Sequence, residues 1–121
     1  MKAVEFEILR RRDGTCEFVE FMRSLPKKDR AKLYSIISKT ERMGMQVAMS
    51  QKWVKKLRRG IYELRSQQGS DIQRALYFHK DSNRYVITHG FTKKTARTPV
   101  SEIEKVERLM KQYWCERGEE R

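Results

Sequence analysis

Cysteine and histidine are scarce in this chain, with two of each among 121 residues. Cys16 and Cys115 are too few and too far apart in sequence for a disulfide framework or a zinc site, so free thiols are expected. His79 and His89 fall beside apolar neighbours on strand-like segments, where a lone histidine reads first as a hydrogen-bonded structural residue. No metal site and no cofactor are expected. Long apolar runs are also missing: nothing approaches the roughly 20 residues of a membrane-spanning helix. The opening MKAVEFEILRRR lacks an apolar run followed by a small-residue cleavage site, so a signal peptide is not expected either. With no repeat, linker or low-complexity tract, residues 1–121 read as one cytoplasmic domain.

Acidic residues are the other shortage. There are 16 Asp and Glu against 28 Lys and Arg, a formal charge of +12. From Lys52 to Arg97 the imbalance is steepest, 12 basic against 3 acidic side chains, whereas Thr98 to Arg121 is nearly balanced at 5 and 6. Cations interleaved with apolar residues at strand-like spacing suggest a concentrated basic face. Such a face suits a phosphate-rich partner or an anionic surface.

What is present sets out the elements. Val4, Phe6 and Ile8 alternate with Glu5 and Glu7, which predicts a strand over Ala3 to Leu9. Phe18, Phe21, Met22 and Leu25 predict a short helix capped by Asp13 or Thr15, and Leu33, Ile36, Ile37 and Thr40 a longer one from Pro26 to about Gly44. Met45 to Val54 has no clear period and reads as a loop, and Trp53 reads first as its apolar anchor and second as a platform on which a base stacks. Three strands follow, Gly60 to Ser66, Ile72 to Lys80 and Arg84 to Thr92. The turn-rich links SQQGSD and KDSN make them an antiparallel meander. After Pro99 a last helix is expected, with Ser101 as N-cap and Ile103, Val106, Leu109, Met110 and Tyr113 apolar, and then a frayed tail CERGEER. The order β-α-α-β-β-β-α predicts an α+β fold, an antiparallel-rich four-stranded sheet with a helical hairpin and a C-terminal helix, the helices on one face.

Within the meander, Arg74 interrupts the apolar row of Ile72, Leu76 and Phe78, and Glu63 and Arg65 share one side of the preceding strand. A cation inside a sheet is costly unless paired or wet. Two readings are open. Arg74 pairs with Glu63 across neighbouring strands for structural reasons, or Arg65, Arg74, Lys93 and Lys94 converge where the sheet opens to solvent. A second basic run, Lys52, Lys55, Lys56, Arg58 and Arg59, reads as a loop of which some members track a nucleic-acid backbone.

Taken together, IYELR, QRALYF and HGFTKKTARTPVSEIEKV resemble the phage-derived, HigB-like branch of the RelE and ParE toxins, and the element order matches that fold. The resemblance implies the toxin of a bacterial type II toxin-antitoxin system that enters the ribosomal A site and cuts messenger RNA. RelE-like members rely on basic strand residues rather than acid-base histidines. By motif, Arg65 matches the basic position of the second strand, Arg74 the arginine of the third, and Lys93 or Lys94 the basic pair ending the fourth. Glu63 stands where RelE has a basic residue, and no tyrosine leads into the last helix; Tyr113 is too far along to match. The resemblance also implies a helix-turn-helix antitoxin of the HigA-like kind, assembled with the toxin as a hetero-oligomer.

Metal-free RNA cleavage uses the neighbouring 2′-hydroxyl as nucleophile, and the protein must align the attack, stabilise the phosphorane and move protons. Arg65 and Arg74 are candidates to fork onto phosphate oxygens, Lys93 and Lys94 to neutralise developing charge, and Glu63, His79 or His89 to act as base. Lys55, Lys56, Arg58 and Arg97 are candidate RNA contacts. Two other functions share these features: a ParE-like toxin that poisons DNA gyrase without cutting RNA, and a basic module that binds RNA without cleaving it. Fold alone does not choose among them.

Overall fold

The computed structural model describes residues 2–118. Its elements are β1 (Glu5–Ile8), α1 (Glu17–Ser24), α2 (Lys27–Met43), α3 (Met45–Ser50), β2 (Val54–Arg58), β3 (Ile61–Gln68), β4 (Asp71–Asp81), β5 (Arg84–Lys93) and α4 (Val100–Glu116). The strands form one sheet in the order β1-β5-β4-β3-β2. Strands β2 to β5 run antiparallel to their neighbours, as the turn residues between β3, β4 and β5 predict, and β1 joins the far edge parallel to β5.

The sheet therefore has five strands rather than four. Val54 to Arg58, part of the expected basic loop, is the edge strand β2, and Met45–Ser50 is a short helix. This edge strand divides its few apolar side chains between the two faces, buried Val54 with the α1 and α2 cluster and half-buried Leu57 with the α4 cluster, so its pattern is faint. Lys55 and Lys56 are exposed on it, and lysine on an edge discourages pairing with another chain.

Helices cover both faces rather than one. Residues Leu64, Ala75, Tyr77 and Ile87 join the cluster built with Phe18, Met22, Leu33 and Ile36 from α1 and α2. Their strand neighbours Ile61, Leu76, Phe78 and Val86 pack instead with Val106, Tyr113 and Trp114 of α4. Successive residues of a strand point to opposite faces, so a run such as Ala75 to Phe78, buried throughout, must be covered on both sides.

Two details of β5 shape the α4 face. The register with β4 shifts between Leu76 and Tyr77, which pair with His89 and Ile87 and leave Thr88 as an extra residue. This bulge keeps His89 on the α4 face. Next to it, Gly90 lies beneath α1, where a β-carbon would come 2.4 Å from the Phe21 ring and 2.8 Å from the Arg74 carbonyl oxygen. Only a residue without one fits there.

The helix starts differ from expectation. Asp13 and Thr15 do not cap α1: the Asp13 carboxylate accepts from the Thr15 amide at 2.9 Å and hydroxyl at 2.6 Å in a preceding turn, and Cys16 holds the N-cap. Likewise Pro99, not Ser101, is the N-cap of α4. Of the tail, Cys115 and Glu116 are still helical; residues 119–121 lie outside the described residues.

Candidate functional site

One end of the α4 face carries charge where the rest carries hydrocarbon. Register pairs Arg65 of β3 with Arg74 of β4 and Arg74 with Phe91 of β5, while Glu63 lies two residues before Arg65 on the same face. The Glu63 side chain is fully buried, its Oε1 3.4 Å from Arg65 Nε and its Oε2 3.7 Å from Arg74 Nε. Arg74 is also fully buried, its guanidinium 5.6 Å from the centre of the Phe91 ring. Burial pushes the Arg74 pKa below the ordinary arginine range; Glu63 opposes that shift and Arg65 adds to it.

The segment after β5 closes over this cluster. Arg65 Nη2 donates to the Ala96 carbonyl at 2.7 Å, Arg74 Nη2 donates to the Thr95 carbonyl, and the Thr98 hydroxyl donates to Glu63 Oε2 at 2.5 Å. Three buried atoms still lack a hydrogen-bond partner among the described residues: Glu63 Oε1, Arg74 Nε and Arg74 Nη1. A buried ion pair contributes little net stability, and breaking one costs several kcal/mol. The apolar residues beside it hold the fold: Ile61, Leu64, Leu76 and Phe78 are buried to 1% exposure or less, each worth about 1.5–3 kcal/mol.

Both readings of Arg74 thus describe part of what is found. It pairs with Glu63 across the strands, and it shares one end of the sheet with Arg65 beneath a cationic loop, although it does not open to solvent. Lys93, Lys94 and Arg97 are exposed in or beside that loop and form no ion pair among the described residues. Glu63, a candidate base only if released from arginine, holds two of them.

The remaining candidates are spread out. Lys55 and Lys56 are exposed on β2, whereas Arg58 is tied to Glu107 of α4 at 2.6 Å. His89 is buried between the Thr88 hydroxyl, 2.9 Å from Nδ1, and Glu102, 3.0 Å from Nε2. Burial lowers its pKa despite the carboxylate. His79 is exposed near the opposite end of β4, its Nε2 2.9 Å from the Ser82 carbonyl oxygen. Tyr113 donates its hydroxyl to Glu7 at 3.0 Å, within the α4 packing. Among the described residues no group of three His, Cys, Asp or Glu could hold a metal ion, and no helix is long and apolar enough to cross a membrane.

Sequence reasoning missed Thr98, Phe91 and the carbonyls of Thr95 and Ala96. Carbonyls leave no residue signature, and a threonine before a proline is unremarkable in a sequence. Phe91 could have been found by counting the register from the β4–β5 turn, had the bulge at Thr88 been visible.

The family described as "Phage derived protein Gp49-like (DUF891)" matches residues 20–111, which include every residue of this cluster. No curated protein matches the chain. The chain belongs to the Gp49-like phage-derived family.

Proposed function

We propose that this Gp49-like protein is the toxin of a type II toxin-antitoxin pair and an endoribonuclease that inhibits translation by cutting messenger RNA on the ribosome. The observation that carries the reading is the cluster of Glu63, Arg65 and Arg74, with net charge +1 and unpartnered guanidinium nitrogens, beneath a loop bearing Lys93, Lys94 and Arg97. A scissile phosphate supplies the acceptors that Arg74 lacks.

In the resting arrangement the carbonyls of Thr95 and Ala96 each take one Nη2 of the two arginines. RNA binding exchanges them for phosphate oxygens as the loop lifts. The 2′-oxygen then bonds to the adjacent phosphorus as the bond to the 5′-oxygen breaks, which leaves a 2′,3′-cyclic phosphate and a 5′-hydroxyl. Arg65 and Arg74 stabilise the added charge of the phosphorane, and Lys93 and Lys94 the charge developing around it. Glu63, once its guanidinium partners turn to phosphate, accepts the 2′-hydroxyl proton; the 5′-oxygen takes one from solvent or lysine. The expected partner is a helix-turn-helix antitoxin, acidic where it covers this end.

The complete burial of Arg74 favours a second reading, a toxin that does not cut RNA and acts through a protein target such as DNA gyrase. A purified translation reaction separates the two. New messenger RNA 5′ ends, mapped by primer extension, should appear with wild type only when ribosomes are present and disappear with Lys93→Ala/Lys94→Ala. Intact RNA with a toxic wild type would overturn the nuclease and direct the test to gyrase.

A further inference from the structure

Two shallow clefts lie beside the charged cluster and share the Lys52 and Arg65 side chains as lining. One, of about 460 Å³, is lined by Lys32, Trp53 and Ala96 among others, and the second, of about 350 Å³, by Lys55 and Lys56; Lys52 and Arg65 line both. No Asp or Glu among the described residues lines either cleft. Ala96 is the residue whose carbonyl holds Arg65, so the first cleft shares Arg65 and Ala96 with the edge of the proposed active site.

Lys52 stands in an unusual backbone position. Its amide donates to Met49 and that of Trp53 to Ala48, a helix-ending motif whose penultimate residue adopts the left-handed conformation that glycine takes freely. Lys52 adopts it at φ 63° despite its β-carbon. The position that favours glycine holds a cation at the mouth shared by both clefts. Beside it Trp53 is only partly buried, with Lys39 Nζ 5.7 Å from its ring centre.

We infer that the two clefts form one trough for single-stranded nucleic acid, with Lys52, Lys55 and Arg65 along the phosphates and a base against the Trp53 indole. The inference rests on the proposed function for the identity of that strand, messenger RNA flanking the cut. A cationic groove with an aromatic platform is the physical requirement for binding an unpaired strand, because every base offers a face to stack and every nucleotide a charge. A duplex, with its bases already stacked, has none to give Trp53.

The test measures fluorescence anisotropy of a labelled 12-nucleotide oligouridine with wild type, Lys52→Gly and Trp53→Leu over a salt series, with thermal unfolding of each protein. Lys52→Gly should unfold at higher temperature, since it relieves the backbone, and yet bind more weakly. Its slope of log affinity against log salt should be shallower by about 0.7, one single-strand phosphate contact. Trp53→Leu should weaken binding about tenfold. Oligothymidine binding as tightly as oligouridine supports the trough, whose contacts ignore the sugar. A Lys52→Gly protein with wild-type affinity and slope, a wild type that does not hold the single strand, or tighter binding of duplex RNA would overturn it. Messenger RNA cleavage by the same proteins keeps the two ideas apart. Weak binding by the variants with no cleavage by wild type sinks the nuclease and leaves the trough; unchanged binding by Lys52→Gly with normal cleavage does the reverse.

Discussion

Arg74 and His89 lie on adjacent strands of one sheet face, both essentially inaccessible to solvent, and the protein treats them oppositely. His89 has both ring nitrogens engaged, by Thr88 and Glu102. Arg74 has a carboxylate 3.7 Å away and a carbonyl on one nitrogen, and its other two nitrogens have no hydrogen bond among the described residues. Burial penalises the charged form of each, and histidine escapes by staying neutral whereas arginine stays charged. A buried group with every partner in place has a complete structural explanation. One that bears the cost of burial with partners missing invites a ligand that brings them.

Substitutions in the Arg74 cluster should have the largest effect. Glu63→Gln removes the countercharge of a buried guanidinium and should cost about 3–5 kcal/mol in urea unfolding. Glu63→Leu/Arg74→Met, which removes both charges, should recover most of that loss, because a buried pair is often replaceable by hydrocarbon. Equal destabilisation by the single and double variants would mean that the pair itself stabilises the fold.

Gly90 links the two sites, for it sits between His89 and Phe91 on β5. Gly90→Ala must displace Phe21 or the Arg74 backbone and should cost about 1–3 kcal/mol by overpacking. Amide exchange should quicken along both β4 and β5. A change confined to one strand would show that the two sites are less coupled than the shared register implies.

His89 offers a pH test. Its folded pKa is depressed, so the unfolded chain takes up a proton first as the pH falls. The stability due to neutral His89 is whole above the ordinary value of 6.5 and is lost as the pH falls toward the folded value. The unfolding free energy from urea titrations should therefore drop between pH 7 and pH 5, by no more than about 1.4 kcal/mol per pH unit from this residue, and this part of the slope should be absent in His89→Gln. A slope unchanged by the substitution would assign it to other groups. The smallest stability effect belongs to Lys93→Ala/Lys94→Ala, exposed and unpaired among the described residues, which should stay within about 0.5 kcal/mol of wild type.

Much of this was legible in the sequence because it depends on local chemistry. The turns SQQGSD and KDSN specify the β3-β4-β5 meander, and the spacing of Leu33, Ile36 and Thr40 specifies α2. The cross-strand meeting of Arg74 with Glu63 also comes from alternation once the strands are drawn. What escaped depends on tertiary context. An edge strand such as β2 has half the apolar signal of a central one, and α4 on the second face is implied only by the doubly apolar run of β4. The loop that covers the cluster does so through two backbone carbonyls, which any sequence supplies, and one hydroxyl, that of Thr98.

The most direct measurement compares messenger RNA cleavage in a translation reaction at pH 7.5 by Glu63→Leu/Arg74→Met and by His89→Gln, each first shown to be folded. The account predicts no cleavage products from the first and wild-type cleavage from the second. Cleavage by the double variant, or its loss in folded His89→Gln, would contradict the division between the incomplete site and the complete one.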